Sequence, residues 1–107
     1  MNVTTLDYSM RRRHPRVEMV GRVFVHNEEH LYIAPLHNIS LGGIFIERVV
    51  TIDIGQEVKV VVKAPGLTEP IQAIGRVVRI ERGERIGSAI QFHWIGPRFE
   101  EILCSQG

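Results

Sequence analysis

The chain has 107 residues, of which 44% are apolar and 23% charged. That is one domain of ordinary composition, which excludes a coiled coil and extensive disorder and leaves enough apolar surface to fold without metal or disulfide. The net charge is only +1, yet residues 1–16 hold four arginines against Asp7, while the rest holds nine basic groups against eleven acids.

Residues 1–10 lack periodicity and read as a flexible N-terminal tail. Arg11 to Arg16 is a basic run. Pro15 biases His14 toward extended backbone, so the run is an arm leading into a strand, not a helix interior. Val17 to Val25 alternates, with Val17, Met19, Val23 and Val25 on one face and Glu18, Arg22 and His26 on the other. Gly21 is placed for a bulge. His26 to Glu29 is a polar hairpin turn. Leu31 to Ala34 is a second strand, which Pro35 interrupts before Leu36 to Ser40 resumes, so a kinked strand pair at a sheet edge is expected.

Leu41-Gly42-Gly43 is a sharp turn whose glycines permit positive φ and close approach of a backbone or ligand. Ile44 to Val50 reads as a strand and Asp53 to Gln56 as a turn. From Glu57 to Lys63, Val58, Val60 and Val62 face in, whereas Lys59 and Lys63 face out. Ala64-Pro65-Gly66 is a loop. Ile71 to Ile80 is a long strand with Gly75 placed to bend it, and Glu81 to Glu84 is a charged turn. Ile86, Ser88, Ile90 and Phe92 form the face of a last strand. After Gly96-Pro97, residues 98–104 form about two helical turns, with Phe99, Ile102 and Leu103 on one side. Six or seven short strands with a C-terminal helix mean an all-β antiparallel barrel or sandwich. The absence of βαβ alternation argues against a parallel dinucleotide-binding sheet.

Catalysis has little support. Ser40 and Ser88 sit in no nucleophile-elbow pattern, and Cys104 has no histidine beside it. His26 and His30 are spaced as zinc-protease ligands would be, but Asn27 stands where that pattern needs Glu, so they read as turn residues and no metal site is expected. With one cysteine no intrachain disulfide forms, which suits a reducing compartment. No apolar run approaches the ~20 residues that span a bilayer. The N-terminus lacks a signal peptide's apolar stretch. A cytoplasmic protein without membrane insertion is the expectation.

Two features carry chemistry. The first is the run Arg11, Arg12, Arg13 and Arg16, whose mutual repulsion an anion relieves. The planar guanidinium grips phosphate bidentately and stacks on flat rings. Taken singly, the run is also what a solvated basic tail looks like. The second is Asn38-Ile39-Ser40-Leu41-Gly42-Gly43. In a strand, Asn38 and Ser40 point the same way, and the glycines open the backbone amides to an anion. Taken singly, this is also an ordinary turn.

Together, Arg12-x-x-x-Arg16 followed 22 residues later by Asn38-x-Ser40-x-x-Gly43 resembles the PilZ family pattern of an R-x-x-x-R arm and a [D/N]-x-S-x-x-G turn on a β-barrel. The Gly75-Arg76-Val77-Val78 strand and the Gly87 to Phe92 strand are also similar to the family, so the resemblance covers about residues 11–104. It implies a PilZ-type barrel over 11–107 that binds cyclic di-GMP, a bacterial second messenger, and uses no cofactor. On that resemblance, Arg12 and Arg16 contact phosphates and a guanine Hoogsteen edge, and Asn38 bonds the base. Ser40 bonds the base or a phosphate, and Gly42 and Gly43 allow close backbone contact. Arg11 and Arg13 are secondary. Asn38 stands where the family often has Asp, and Gly87 lies five residues from Phe92 where the family's spacing is shorter, which bears on strand register.

The implied mechanism is a mobile arm that the ligand clamps against the barrel, relaying the signal to an effector protein as an adaptor does. One alternative is a PilZ-like interaction module that binds no nucleotide. A single-stranded nucleic-acid barrel would need clustered aromatic platforms, and Phe24, Tyr32 and Phe45 are scattered, so no nucleic-acid polymer is expected.

Overall fold

The structure is a computed structural model that describes residues 16–106, except the side chains of 17 and 104–106. Arg11, Arg12, Arg13 and the expected tail over 1–10 lie outside the described residues.

Six strands are formed: β1 Val17–His26, β2 Leu31–Ile39, β3 Gly43–Ile46, β4 Glu57–Lys63, β5 Ile71–Arg82 and β6 Ile86–Ile95, followed by helix α1, Phe99–Gln106. All pairings are antiparallel, and the order β1-β2-β3-β6-β5-β4 closes into a barrel. Closure leaves little sheet edge to protect, chiefly the part of β2 before Ile39. Among the described residues the count is six.

The alternation read from the sequence builds the interior. Val23, Val25, Val58, Val60 and Val62 are at most 1% exposed, and their outward neighbours Arg22, Lys59 and Lys63 are solvated. β1 shifts register between Glu18 and Gly21. A side chain at Gly21 would collide with the Lys63 carbonyl and the Ala64 Cβ, so glycine lets β1 cross the end of β4. β5 has a similar irregularity at Ile74/Gly75.

The Asn27 side chain holds the β1–β2 hairpin by accepting from Glu29 N at 2.9 Å and His30 N at 2.8 Å. Gly55 and Gly66 have φ of +96° and +91°, in the two turns flanking β4. The helix caps the core. Phe99 is 1% exposed and packs edge-to-face on Phe92 at 5.6 Å, with Leu103 buried beside the same core. Arg98 ties the helix start to Glu69 at 2.8 Å and to Glu101 at 2.9 Å.

Three expectations are corrected. β2 is one continuous strand through Pro35. Beside Pro35 it has, among the described residues, only β1 as a strand neighbour, because β3 meets β2 solely at Ile39–Ile44, and a missing N–H is tolerated where no second ladder needs it. β3 ends at Ile46 and does not run to Val50. The buried Ser88 hydroxyl donates to Arg48 O at 2.7 Å and accepts from Val50 N at 3.0 Å, which draws that stretch off the ladder. Ile86 is 57% exposed and so is not part of the inner face of β6.

Candidate functional site

The second motif lies where β2 turns into β3. Ser40 organises this turn. Its hydroxyl donates to Gly43 O at 3.3 Å and accepts from Gly42 N at 3.2 Å and Gly43 N at 3.3 Å, while Ser40 N donates to Gly43 O at 3.1 Å. The turn is fastened to β6 by Phe92 N donating to Gly42 O at 2.9 Å. A Cβ at Gly43 would fall on the Ile90 carbonyl oxygen and 3.3 Å from Gln91 Cα. Gly43 is therefore required by the approach of another backbone, and it is not among the positive-φ glycines. Because Ser40 occupies both glycine amides, charge recognition here falls to side chains.

Arg16, Asn38, Ser40, Gly42 and Gly43 line one open cleft of about 360 Å³. Arg16 stands exposed at the entrance to β1, and Glu18 pairs with Asn38, so the start of β1 lies beside the motif strand. The expectation that Asn38 and Ser40 face one space fits this arrangement. Of the arginine run only Arg16 is described.

The cleft also contains residues that sequence reasoning did not single out: Phe45 on β3, Arg79 on β5, Arg85 in the β5–β6 turn and Gln91 on β6. The Arg85 guanidinium lies 3.6 Å from the centre of the Phe45 ring, a cation–π stack. Gly87 makes room for it, since a Cβ there would come within 2.6 Å of the Phe45 ring. Arg79 is held by Glu81 at 2.6 Å. Among the described residues, three arginines thus line the cleft and no carboxylate does. The larger groove of about 780 Å³ at the β1–β2 hairpin has Glu28, Glu29 and Glu57 in its wall, so an anionic ligand is drawn to the arginine cleft instead.

With the barrel and cleft in view, comparison with known proteins decides the family. The PilZ domain matches residues 10–103. The chain belongs to the PilZ family. PilZ domains are cyclic di-GMP receptors rather than enzymes. Among solved structures, the chain is similar to the Bacillus subtilis inhibitor of motility MotI/DgrA, with 21% identity and a TM-score of 0.72 over 88% of this chain and 48% of that one. It thus spans about half the length of that protein. It is also similar to the PilZ domain of YcgR from Escherichia coli, solved with c-di-GMP, with 17% identity and a TM-score of 0.63 over 90% of this chain and 91% of that one. These likenesses establish the fold. No curated protein sequence matches significantly. Among the described residues, no helix is long and apolar enough to cross a membrane.

Proposed function

We propose that this PilZ domain is a cyclic di-GMP receptor whose ligand binds in the arginine cleft. The observation that carries the reading is the convergence of Arg16, Asn38 and Ser40 with Arg79 and Arg85 on one space that, among the described residues, no carboxylate lines. PilZ membership and the c-di-GMP in the YcgR structure support the ligand's identity.

The roles follow from the chemistry of each group. Arg16, with Arg12 from the arm, clamps phosphate and the O6/N7 edge of guanine, a match the planar guanidinium makes with two parallel hydrogen bonds. Arg11 and Arg13 add charge. Asn38 presents an amide to the base. Ser40 sets the Gly42–Gly43 turn that shapes the cleft floor. Arg85, backed by Phe45, offers its other face as a flat platform for a guanine base. Arg79, paired with Glu81, offers its remaining guanidinium N–H groups, and Gln91 a hydrogen-bonding amide.

The unit is a single domain over 11–107 preceded by a tail over 1–10. Ligand binding orders the arm, and the ordered arm is the signal read by an effector protein. Ordering six residues costs at most roughly 1–2 kcal/mol each, so the charge-assisted contacts must exceed that cost for micromolar binding, about −8 kcal/mol. The setting is the bacterial cytoplasm, where the domain acts as an adaptor.

The test is fluorescence anisotropy with labelled cyclic di-GMP, displaced by unlabelled cyclic di-GMP, cyclic AMP or GTP. Saturable binding displaced only by cyclic di-GMP is the expected result. Indifference to all three, or equal displacement by each, would overturn the assignment.

A further inference from the structure

Strand β5 breaks its alternation where it borders the arginine cleft. Ile71, Ala73 and Val77 point into the core and are at most 3% exposed. Unbroken alternation would turn Arg79 inward as well, where an unpaired charge is costly. The register prevents this. β5 pairs Val77 with Ile90 and Arg79 with Ala89, the next residue back on β6, which leaves Val78 as an extra residue. A bulge of this kind moves every later side chain to the other face. Val78 and Arg79 are consequently both exposed and both line the cleft, while Ile80 packs against the core. The bulge thus delivers to the site an arginine that the strand pattern alone would bury.

Arg79 is also aimed. Its Nε donates to Oε2 of Glu81 at 2.6 Å, two residues on and on the same face of β5. Glu81 is the fixed partner. Its side chain is 29% exposed against 58% for Arg79, and its backbone pairs in register with Gly87. Because the contact goes through Nε, the two terminal nitrogens remain as a planar fork, and among the described residues that fork has no partner. The residue beside Arg79 across the ladder is Ala89, which pairs in turn with Phe45. In that row only a methyl group lies between Arg79 and the Phe45–Arg85 stack. Arg85 lies on an aromatic ring and suits a flat base. Arg79 has no ring behind it and presents a fork, which suits phosphate.

We propose that Arg79 grips a phosphate of the bound nucleotide end-on, and that Glu81, without touching the ligand, is the positioning residue that aims it. The assignment rests on the receptor reading of the cleft. Two effects of the Glu81 carboxylate oppose each other. It repels the phosphate, but across the length of a guanidinium in screened solvent this amounts to about twofold in affinity or less. It also holds a rotamer-rich side chain in place before the ligand arrives, and losing such order weakens binding about 2- to 10-fold. Positioning therefore outweighs repulsion, and the carboxylate helps an anionic ligand to bind.

The experiment measures anisotropy of labelled cyclic di-GMP with the unmodified full chain, R79A, E81A, E81Q and R79A/E81A, beside thermal unfolding of each. Glu81→Ala is expected to weaken binding about 2- to 10-fold. Glu81→Gln, whose amide oxygen still accepts from Nε, keeps most of the affinity. In the Arg79→Ala background, Glu81→Ala changes nothing further, because it acts through Arg79. Arg79→Ala also flattens the fall of affinity with salt, as loss of a phosphate contact requires. Melting temperatures stay close together, since an exposed ion pair contributes little. Tighter binding by E81A, no recovery in E81Q, an undiminished E81A effect without Arg79, a salt dependence that R79A leaves unaltered, or a loss of affinity that tracks a fall in melting temperature would overturn the proposal. Absence of binding by the unmodified chain is a separate outcome, visible before any substitution: it overturns the receptor reading and this proposal with it.

Discussion

Replacing Ser40 by alanine separates two roles for the motif serine. Its hydroxyl makes three hydrogen bonds within the turn, all between 3.2 and 3.3 Å. They are long and only partly buried, so together they contribute about 1 kcal/mol, the low end for so many bonds. For a domain of this size that corresponds to a fall in Tm of roughly 4–8 °C. If the turn shapes the cleft floor, the same loss weakens cyclic di-GMP by about fivefold. Thermal unfolding of the ligand-free protein reads the first effect and anisotropy the second. Ser40→Thr keeps the hydroxyl and should recover most of both. An unchanged Tm in S40A alongside a collapse of affinity would refute the reasoning, because the hydroxyl would then act on the ligand alone.

Further outcomes follow from the same geometry. Arg85→Ala removes the platform over Phe45 and should weaken ligand about 5- to 50-fold, in the range of one lost base stack; Arg85→Lys, which keeps charge but not the flat fork, should recover little in the same anisotropy assay. Ser88→Ala strands the Val50 N–H inside the protein and should cost about 1–3 kcal/mol in denaturant unfolding, with ligand affinity little changed. Affinity for cyclic di-GMP should fall as salt rises, since the cleft's arginines are solvent-exposed and screened; a salt-independent dissociation constant would argue against a phosphate clamp.

Much of the barrel was legible because most strands have one dry face. The alternation of Val58, Val60 and Val62 with Lys59 and Lys63 needs no partner strand to be read. What escaped depends on contacts distant in sequence. Val49 and Val50 continue an apolar pattern, and only the hydroxyl of Ser88, 38 residues from Val50, explains why the strand stops. Pro35 marked the edge position that β2 does occupy there, but it does not break the strand, because the register with β1 continues on both sides of it. The cleft divides the same way. Arg16, Asn38, Ser40 and Gly43 carry a spacing that marks them. Phe45 and Arg85 meet only because Phe45 pairs with Ala89 and the β5–β6 turn brings Arg85 back over the ring. A charged turn closing two strands was the available signal, and it does not tell a stacked arginine from a solvated one.

The most direct test of the central claim is a calorimetric titration of the purified chain with cyclic di-GMP, run beside an R12A/R16A variant. The account predicts saturable binding in the native chain and its loss in the variant, with both proteins unfolding at similar temperature. Equal binding by the variant would contradict the arginine clamp. No binding by either protein would contradict the receptor reading itself.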